Sequence, residues 1–299
     1  SALWISGFGG DNGINNAYLG IGASSSYKPA MMTTDQSTCS KGYVKTGVSA
    51  GSGRNFNAFN NGDHSENSSC NYASTFNGTS SAAPTVAGVV ALMLEENPAL
   101  TWRDVKHILA TTADQVGSDS DYSYTFRGIK QYEWETNAAN YKFHNWFGFG
   151  KIDAAEAVTV AKTYSADSRG TFVETSLVNS GLINLVINDN GASAISSINI
   201  TKPSGSNDFV EFVKLSVQFS HTVPKSVGLR LVSPDGTVIN VMTPMTNIGT
   251  NPSSTVFDIG VAGLYGESIE GAWTLGVNDY IVDSNPGILI RWGVKVYGN

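Results

Sequence analysis

The chain has 299 residues and a formal net charge of −7, from 18 Lys and Arg against 25 Asp and Glu. Charged residues make up only 14%, against roughly 25% in an average soluble protein, and 41% hydrophobic content is too much for a disordered chain. The acidic balance and the lack of any basic run exclude nucleic acid as a partner, because that affinity rests on Lys/Arg–phosphate contacts. The longest apolar run, Val86–Leu94, contains a glycine and falls far short of the roughly 20 residues that cross a bilayer, which excludes a membrane span.

The length suggests about two domains. Ser1-Ala-Leu-Trp-Ile-Ser6 has no basic segment or small-residue cleavage site, so it does not read as a signal peptide but as the middle of a strand, Ala2–Ile5. A second strand is expected over Ala30–Thr34, and 42–74 carries turn formers without a helical period. From Ser81 to Glu96 the sequence is apolar on nearly every face, which predicts a buried helix with Pro84 in its first turn and Asn97-Pro98 at its end. Thr101-Trp-Arg-Asp104 has capping-box spacing, with Val105, Ile108 and Leu109 following at helical intervals. A loop is expected over 117–145 and a third helix near Asp153–Thr163. From Gly170 the period becomes 2: strands are expected over 182–187, 209–219, 228–232, 238–241, 271–277 and 287–297, with turns at Pro234-Asp-Gly236 and Ser284-Asn-Pro-Gly287. Many short strands without helices indicate a β-sandwich of jelly-roll type. The boundary is placed near 164–170, giving an α/β domain over 1–165 and an all-β domain over 170–299.

The chemically informative stretch is Asn77-Gly-Thr-Ser-Ser-Ala-Ala-Pro84. A glycine lets backbone approach a substrate, and a serine at a helix start meets free N–H groups and a partial positive charge. An oxyanion formed when Ser80 attacks a carbonyl would find the Ser80 N–H. Taken alone, Ser80 reads as an N-cap rather than as a nucleophile, and it is the longer pattern that reverses this. The longer pattern, Gly78-Thr-Ser80-x-Ala-Ala-Pro84 before an apolar helix, resembles the nucleophile motif of subtilisin-like serine proteases. Leu94–Leu109 and Trp146-Phe-Gly-Phe-Gly-Lys-Ile-Asp-Ala154 resemble segments of the kexin-like (proprotein convertase) branch, in its secreted bacterial form. Leu231-Val-Ser-Pro-Asp-Gly-Thr237, Gly271-Ala-Trp-Thr-Leu275 and Gly287-Ile-Leu-Ile-Arg-Trp292 resemble the P domain of those enzymes. The resemblance covers roughly 74–299 and is extended to Leu3–Gly10 and Met32–Asp35 as a strand, loop and following strand, with Gly7-Phe8 departing from the usual Ala-Pro. It implies a secreted or periplasmic endopeptidase acting on polypeptides, often selective for basic residues and often calcium-dependent. It also implies a partial catalytic domain whose upstream part is a partner of this chain and is stabilised by a packed P domain.

A serine hydroxyl needs a His base oriented by a carboxylate. Of the four histidines, His64, His107, His144 and His221, none has the family's His-Gly-Thr context, and no Asp-Ser-Gly or Asp-Thr-Gly precedes Ser80. His107 reads as a helix-face residue, His144 and His221 as surface loop, and Asn12 as a loop residue rather than the oxyanion asparagine. The chain alone is therefore expected to be inactive, since losing triad partners costs on the order of a million-fold. The resemblance makes Cys39–Cys70 a loop insertion closed by a disulfide, worth about 3.5–4 kcal/mol; two free thiols are the other reading. Calcium is implied by resemblance only. Asp119/Asp121 and Asp279/Asp283 are the closest acidic pairs, each otherwise solvated loop, and Asp235 is a turn residue. A non-catalytic P-domain module with a vestigial catalytic segment is the alternative function; a sugar-binding sandwich is a third reading that gives Ser80 no role.

Overall fold

The computed structural model describes residues 1–10, 30–46, 58–61, 64–189, 191–248 and 256–299; Asn12 lies outside the described residues. The chain divides into two units, one of Ser1–Ser6 with Glu96–Asn299 and one of Gly7–Glu95. Residues 96–165 thus group with the sandwich that follows them.

In the smaller unit, strand β1 (Met31–Thr34) pairs antiparallel with β2 (Tyr72–Phe76). Between them run two short 3-10 helices, Ala58–Asn61 and Ser65–Asn67. The buried Asn67 ties these pieces together: its Nδ2 donates to the carbonyls of Phe59 (2.9 Å) and Tyr72 (2.8 Å), and its Oδ1 accepts from the Tyr72 amide. Asp35 accepts from the amides of Gln36, Tyr43 and Val44, each at 2.8 Å, and so wraps the chain around the buried Val44. Cys39 and Cys70 form a disulfide beside Val44.

Helix α1 (Thr79–Glu96) follows. It corrects two expectations. The helix is not buried all round: Ser81, Val89 and Met93 are buried, whereas Leu92 and Leu94 are 49% and 37% exposed. The covered residues, with Ala82, Thr85, Val86 and Val90, recur at helical spacing as one stripe, and the all-round apolar composition leaves the opposite stripe open. The helix also begins at Thr79, so Pro84 sits in its second turn. Having no N–H, Pro84 cannot bond the Ser80 carbonyl.

The larger unit carries α2 (Trp102–Thr111), two short hairpins β3–β4 (Tyr124–Phe126, Ile129–Tyr132) and β5–β6 (Glu135–Thr136, Lys142–Phe143), and α3 (Ala154–Thr163). The capping box forms as expected, Thr101 accepting from Asp104 and Asp104 from Thr101. Asp153 caps α3. The hairpins lie in the stretch expected as loop; their strands are too short to show a period. Ala2–Ile5 is not a regular strand, and the segment contributes a single parallel bridge, Ser6 to Lys151.

After α3 come β7 (Val173–Glu174), β8 (Val178–Asn179), β9 (Leu185–Ile187), β10 (Ala194–Ile200), β11 (Val210–Ser220), β12 (Val227–Val232), β13 (Val238–Met242), β14 (Phe257–Val261), β15 (Gly271–Asp279) and β16 (Gly287–Gly298). They make a four-stranded sheet, β10-β15-β12-β13, and a six-stranded sheet in which β14, β11 and β16 are neighbours and β7, β8 and β9 pair with β16 in succession. Alternate residues of both sheets fill one core: Val213, Leu215, Val217 and Phe219 of β11 and Trp292, Val294 and Val296 of β16 join Leu229, Leu231, Trp273, Leu275 and Val277. The two buried indoles are satisfied, Trp273 Nε1 donating to the Ile269 carbonyl (3.0 Å) and Trp292 Nε1 to Ser196 Oγ (2.9 Å). Gly236, at φ +91°, supplies the β12–β13 turn that Pro234-Asp-Gly236 announced.

Arg103 of α2 reaches β11, where its Nε donates to both oxygens of Glu211 (3.0 and 3.1 Å) with both side chains buried. Next to this pair, His107 Nδ1 lies 2.9 Å from the Tyr265 hydroxyl. Burial, and then the charge of Arg169, lowers the His107 pKa from 6.5 to about 4. Its folded value lies below its unfolded one, so this contribution is complete above about pH 6.5 and is lost as pH falls towards 4. Urea denaturation of the wild-type chain at pH 7 and pH 4.5 should show this acid loss, and His107→Asn should reduce it; an equal loss in both proteins would contradict it.

Candidate functional site

Ser80 is exposed in the first turn of α1, one residue past its start. This corrects the N-cap reading, because Gly78, not Ser80, is the residue whose carbonyl accepts from the amides of Ser81 (3.0 Å) and Ala82 (3.1 Å). A first-turn amide has no partner within its own helix, and the helix start carries partial positive charge. The Ser80 Oγ and N–H therefore sit together at an electropositive end.

Three glycines shape this approach. Gly78 holds φ +76° and has open space where a Cβ would stand. Its amide donates to the Gly9 carbonyl (2.7 Å). A Cβ on Gly9 would lie 2.9 Å from the Gly78 carbonyl oxygen, and one on Gly7 would lie 2.5 Å from that of Ala82 and 2.9 Å from a methyl of Val86. Thr85 Oγ1 donates to the Phe8 carbonyl at 3.3 Å. The segment 7–10 is thus laid against the first two turns of α1.

The histidines occupy other roles. His64 caps the 3-10 helix Ser65–Asn67, its Nδ1 accepting from the Glu66 amide (3.3 Å). His144 and His221 correct the surface-loop reading, since both are buried. His144 packs among Trp134, Trp146 and Phe147, and its Nδ1 accepts from the Trp146 amide. Burial lowers its pKa. His221 follows β11 and lies 3.0 Å from Asp279 at the end of β15, its Nδ1 accepting from the Val223 amide. Such pairs form across strands far apart in sequence, so no local signal announced this one.

The acidic pairs differ. Asp119 is bound by Lys142 (2.9 Å) and Gln115 (2.8 Å), so the protein's own ammonium serves that carboxylate, and Asp121 accepts from the Ser118 amide. Asp279 and Asp283 are joined by Asp189, with one oxygen of each within 4.8 Å of the others. Asp189 accepts from the amides of Asp283 and Ser284. Asp235 caps the Ser268 amide (2.7 Å), in keeping with its turn position.

Residues 10–150 match the family model described as the subtilase family, and 210–296 that of the proprotein convertase P-domain. The chain belongs to the subtilases that carry a proprotein convertase P-domain. It is 28% identical over its whole length to the Aeromonas extracellular serine protease of Aeromonas sobria, covering 51% of that protein. It is 31% identical over 226 residues to human proprotein convertase subtilisin/kexin type 6, covering 74% of this chain and 22% of that one. The crystal structure of the A. sobria serine protease matches 91% of this chain and 52% of its own with a TM-score of 0.76 at 27% identity. The chain thus spans about half or less of the length of these relatives.

The glycines of this subtilase segment make opposite predictions. Gly7→Ala should destabilise the smaller unit by roughly 1–3 kcal/mol as an overpacked contact. Gly88→Ala, in mid-helix with nothing within 4 Å of its Cβ, should stabilise it by about 0.5–1 kcal/mol. Thermal unfolding of the two variants, followed by circular dichroism, should move in opposite directions.

Proposed function

We propose that this chain is part of a secreted kexin-like serine endopeptidase and that Ser80 is its nucleophile. The observation that carries this is the Ser80 hydroxyl and amide, exposed together in the first turn of α1 behind the left-handed Gly78. In the reaction Ser80 Oγ attacks the scissile carbonyl, its proton passes to a histidine, and the Ser80 N–H takes part of the oxyanion's charge. The histidine and its carboxylate come from residues outside these 299, because none of the chain's four histidines stands in the family's motif. Residues 1–165 form the later part of the catalytic domain and 170–299 the P domain.

The reading is tested with a fluorophosphonate probe. The 299-residue chain should remain unlabelled, and a chain extended upstream to include the Asp and His motifs should label at Ser80 and lose that label with Ser80→Ala. Fast stoichiometric labelling of the shorter chain, or none of the longer, would overturn it. Among the relatives, the A. sobria protein is named extracellular, and a structure of it exists with a chaperone. For this chain the disulfide supports secretion.

Calcium is the metal the family implies. Asp189, Asp279 and Asp283 suit it as an all-oxygen donor set, with no Lys or Arg ion pair among the described residues. They would hold the ion at the mouth of β15, where it would fix the loop to Gly287. Chelation should lower the melting temperature of the wild-type chain and leave Asp283→Asn less affected; identical melting with EDTA and with calcium chloride would remove the assignment.

A further inference from the structure

In the larger unit a groove of about 440 Å³ opens between α2 and the edge of the six-stranded sheet. Its walls are rings: Trp102, Phe172, Phe212 and Tyr297. Trp102 and Phe172 are 59% and 41% exposed and meet edge to face at 5.7 Å, and Phe172 stacks on Tyr297 at 6.4 Å. Large aromatics grouped on one open surface mark an interaction site more than scattered ones do.

The groove also holds a cation, Lys106, which makes no direct ion pair among the described residues, although Glu211 of the same groove attracts it. Lys106 Nζ stands 3.8 Å over the ring of Trp4, 5.5 Å from that of Phe212 and 5.7 Å from that of Trp102. The charged groups facing it from neighbouring strands are matched already, Glu211 to Arg103 and Lys214 to Asp258 (2.7 Å). Among the described residues, no carboxylate forms an ion pair with Lys106. Burial lowers its pKa from 10.5 to about 8, so the ammonium remains charged at neutral pH in a place poor in water. A half-desolvated charge of this kind gains from a counter-ion brought by a ligand.

One rim of the groove is an edge strand, approached at its far end by Ser1 and Ala2, where the Ala262 amide donates to the Ser1 carbonyl (3.0 Å). Residues 258–260 line the groove, and they belong to β14, the edge strand of its sheet, paired on one side with β11. An edge strand offers backbone partners to an extended peptide. We propose that this groove binds the C-terminal end of a peptide, its carboxylate on Lys106 and its last aromatic or large aliphatic side chain against Trp102 and Phe172. The site lies entirely within the larger unit and does not depend on Ser80.

The test uses the full chain carrying Ser80→Ala, so that binding is read whether or not that serine is reactive. A fluorescein-labelled peptide ending in Ala-Phe with a free carboxylate is titrated by fluorescence anisotropy, beside the same peptide as its C-terminal amide. The acid should bind saturably and the amide about tenfold or more weaker, the loss expected for one charge-assisted hydrogen bond. Lys106→Met should weaken the acid to the level of the amide, Lys106→Arg should retain it, and Trp102→Ala should weaken both peptides, with circular dichroism unchanged. Equal affinity for acid and amide, or no binding of the acid below about 1 mM, would overturn the site. Binding of 3-phenylpropionate as tight as that of the peptide would overturn the peptide as its occupant.

Discussion

The ion pair between Arg103 and Glu211 is the constraint on which the larger unit is built. Two charges taken out of water cost several kcal/mol each, and only tight geometry recovers that. Here Glu211 accepts from Arg103 and from Asn299 Nδ2 (3.2 Å), while Arg103 also donates to the Gly170 carbonyl (2.6 Å) and Arg169 lies over the ring of Phe209 (4.6 Å). One carboxylate thus fixes α2, the linker after α3, strand β11 and Asn299, which follows β16. The division of the chain into units follows from this. Residues 96–150 match the subtilase family by sequence and group by contact with the sandwich, where the buried Arg103–Glu211 pair cannot be separated without leaving one charge buried alone.

The parts of this fold that were legible are those written in local chemistry. The capping box at Thr101, the apolar run behind Ser80, the alternation along 209–219 and 287–297, and the Pro-Asp-Gly turn each depend on residues within a few positions of one another. Strands β10 and β14 escaped because polar residues interrupt them. Asn199 sits in β10, and in β14 Asp258 bonds Ser216 and Lys214. The burial of His144 and His221 was invisible for a related reason: their partners, aromatic rings in one case and Asp279 in the other, come from distant segments. Within the candidate site the proposal for Ser80 rests on seven residues, Gly78 to Pro84. The laying of Gly7 and Gly9 against α1 was not, since it is a property of three-dimensional closeness.

The chemistry assigned to Ser80 and the two structural surprises in α1 belong together. A helix that starts at Thr79 rather than Ser81 puts the serine inside the first turn, where its amide is free. The same start places Pro84 where the Ser80 carbonyl would have received its hydrogen bond. The turn that carries Ser80 is therefore left without the i to i+4 bonds of a helix at both the Ser80 amide and its carbonyl, and is held instead by Gly78 and by the segment 7–10.

Gly7 has a consequence for how this sequence can vary. Any replacement at that position brings at least one more carbon, and the space that carbon needs is already filled by the main chain of Ala82. Mutational drift is closed there unless the helix first shifts away, and a shift of the helix would move the serine. A change in where the helix start holds Ser80 is thus barred at a residue far from that helix in sequence.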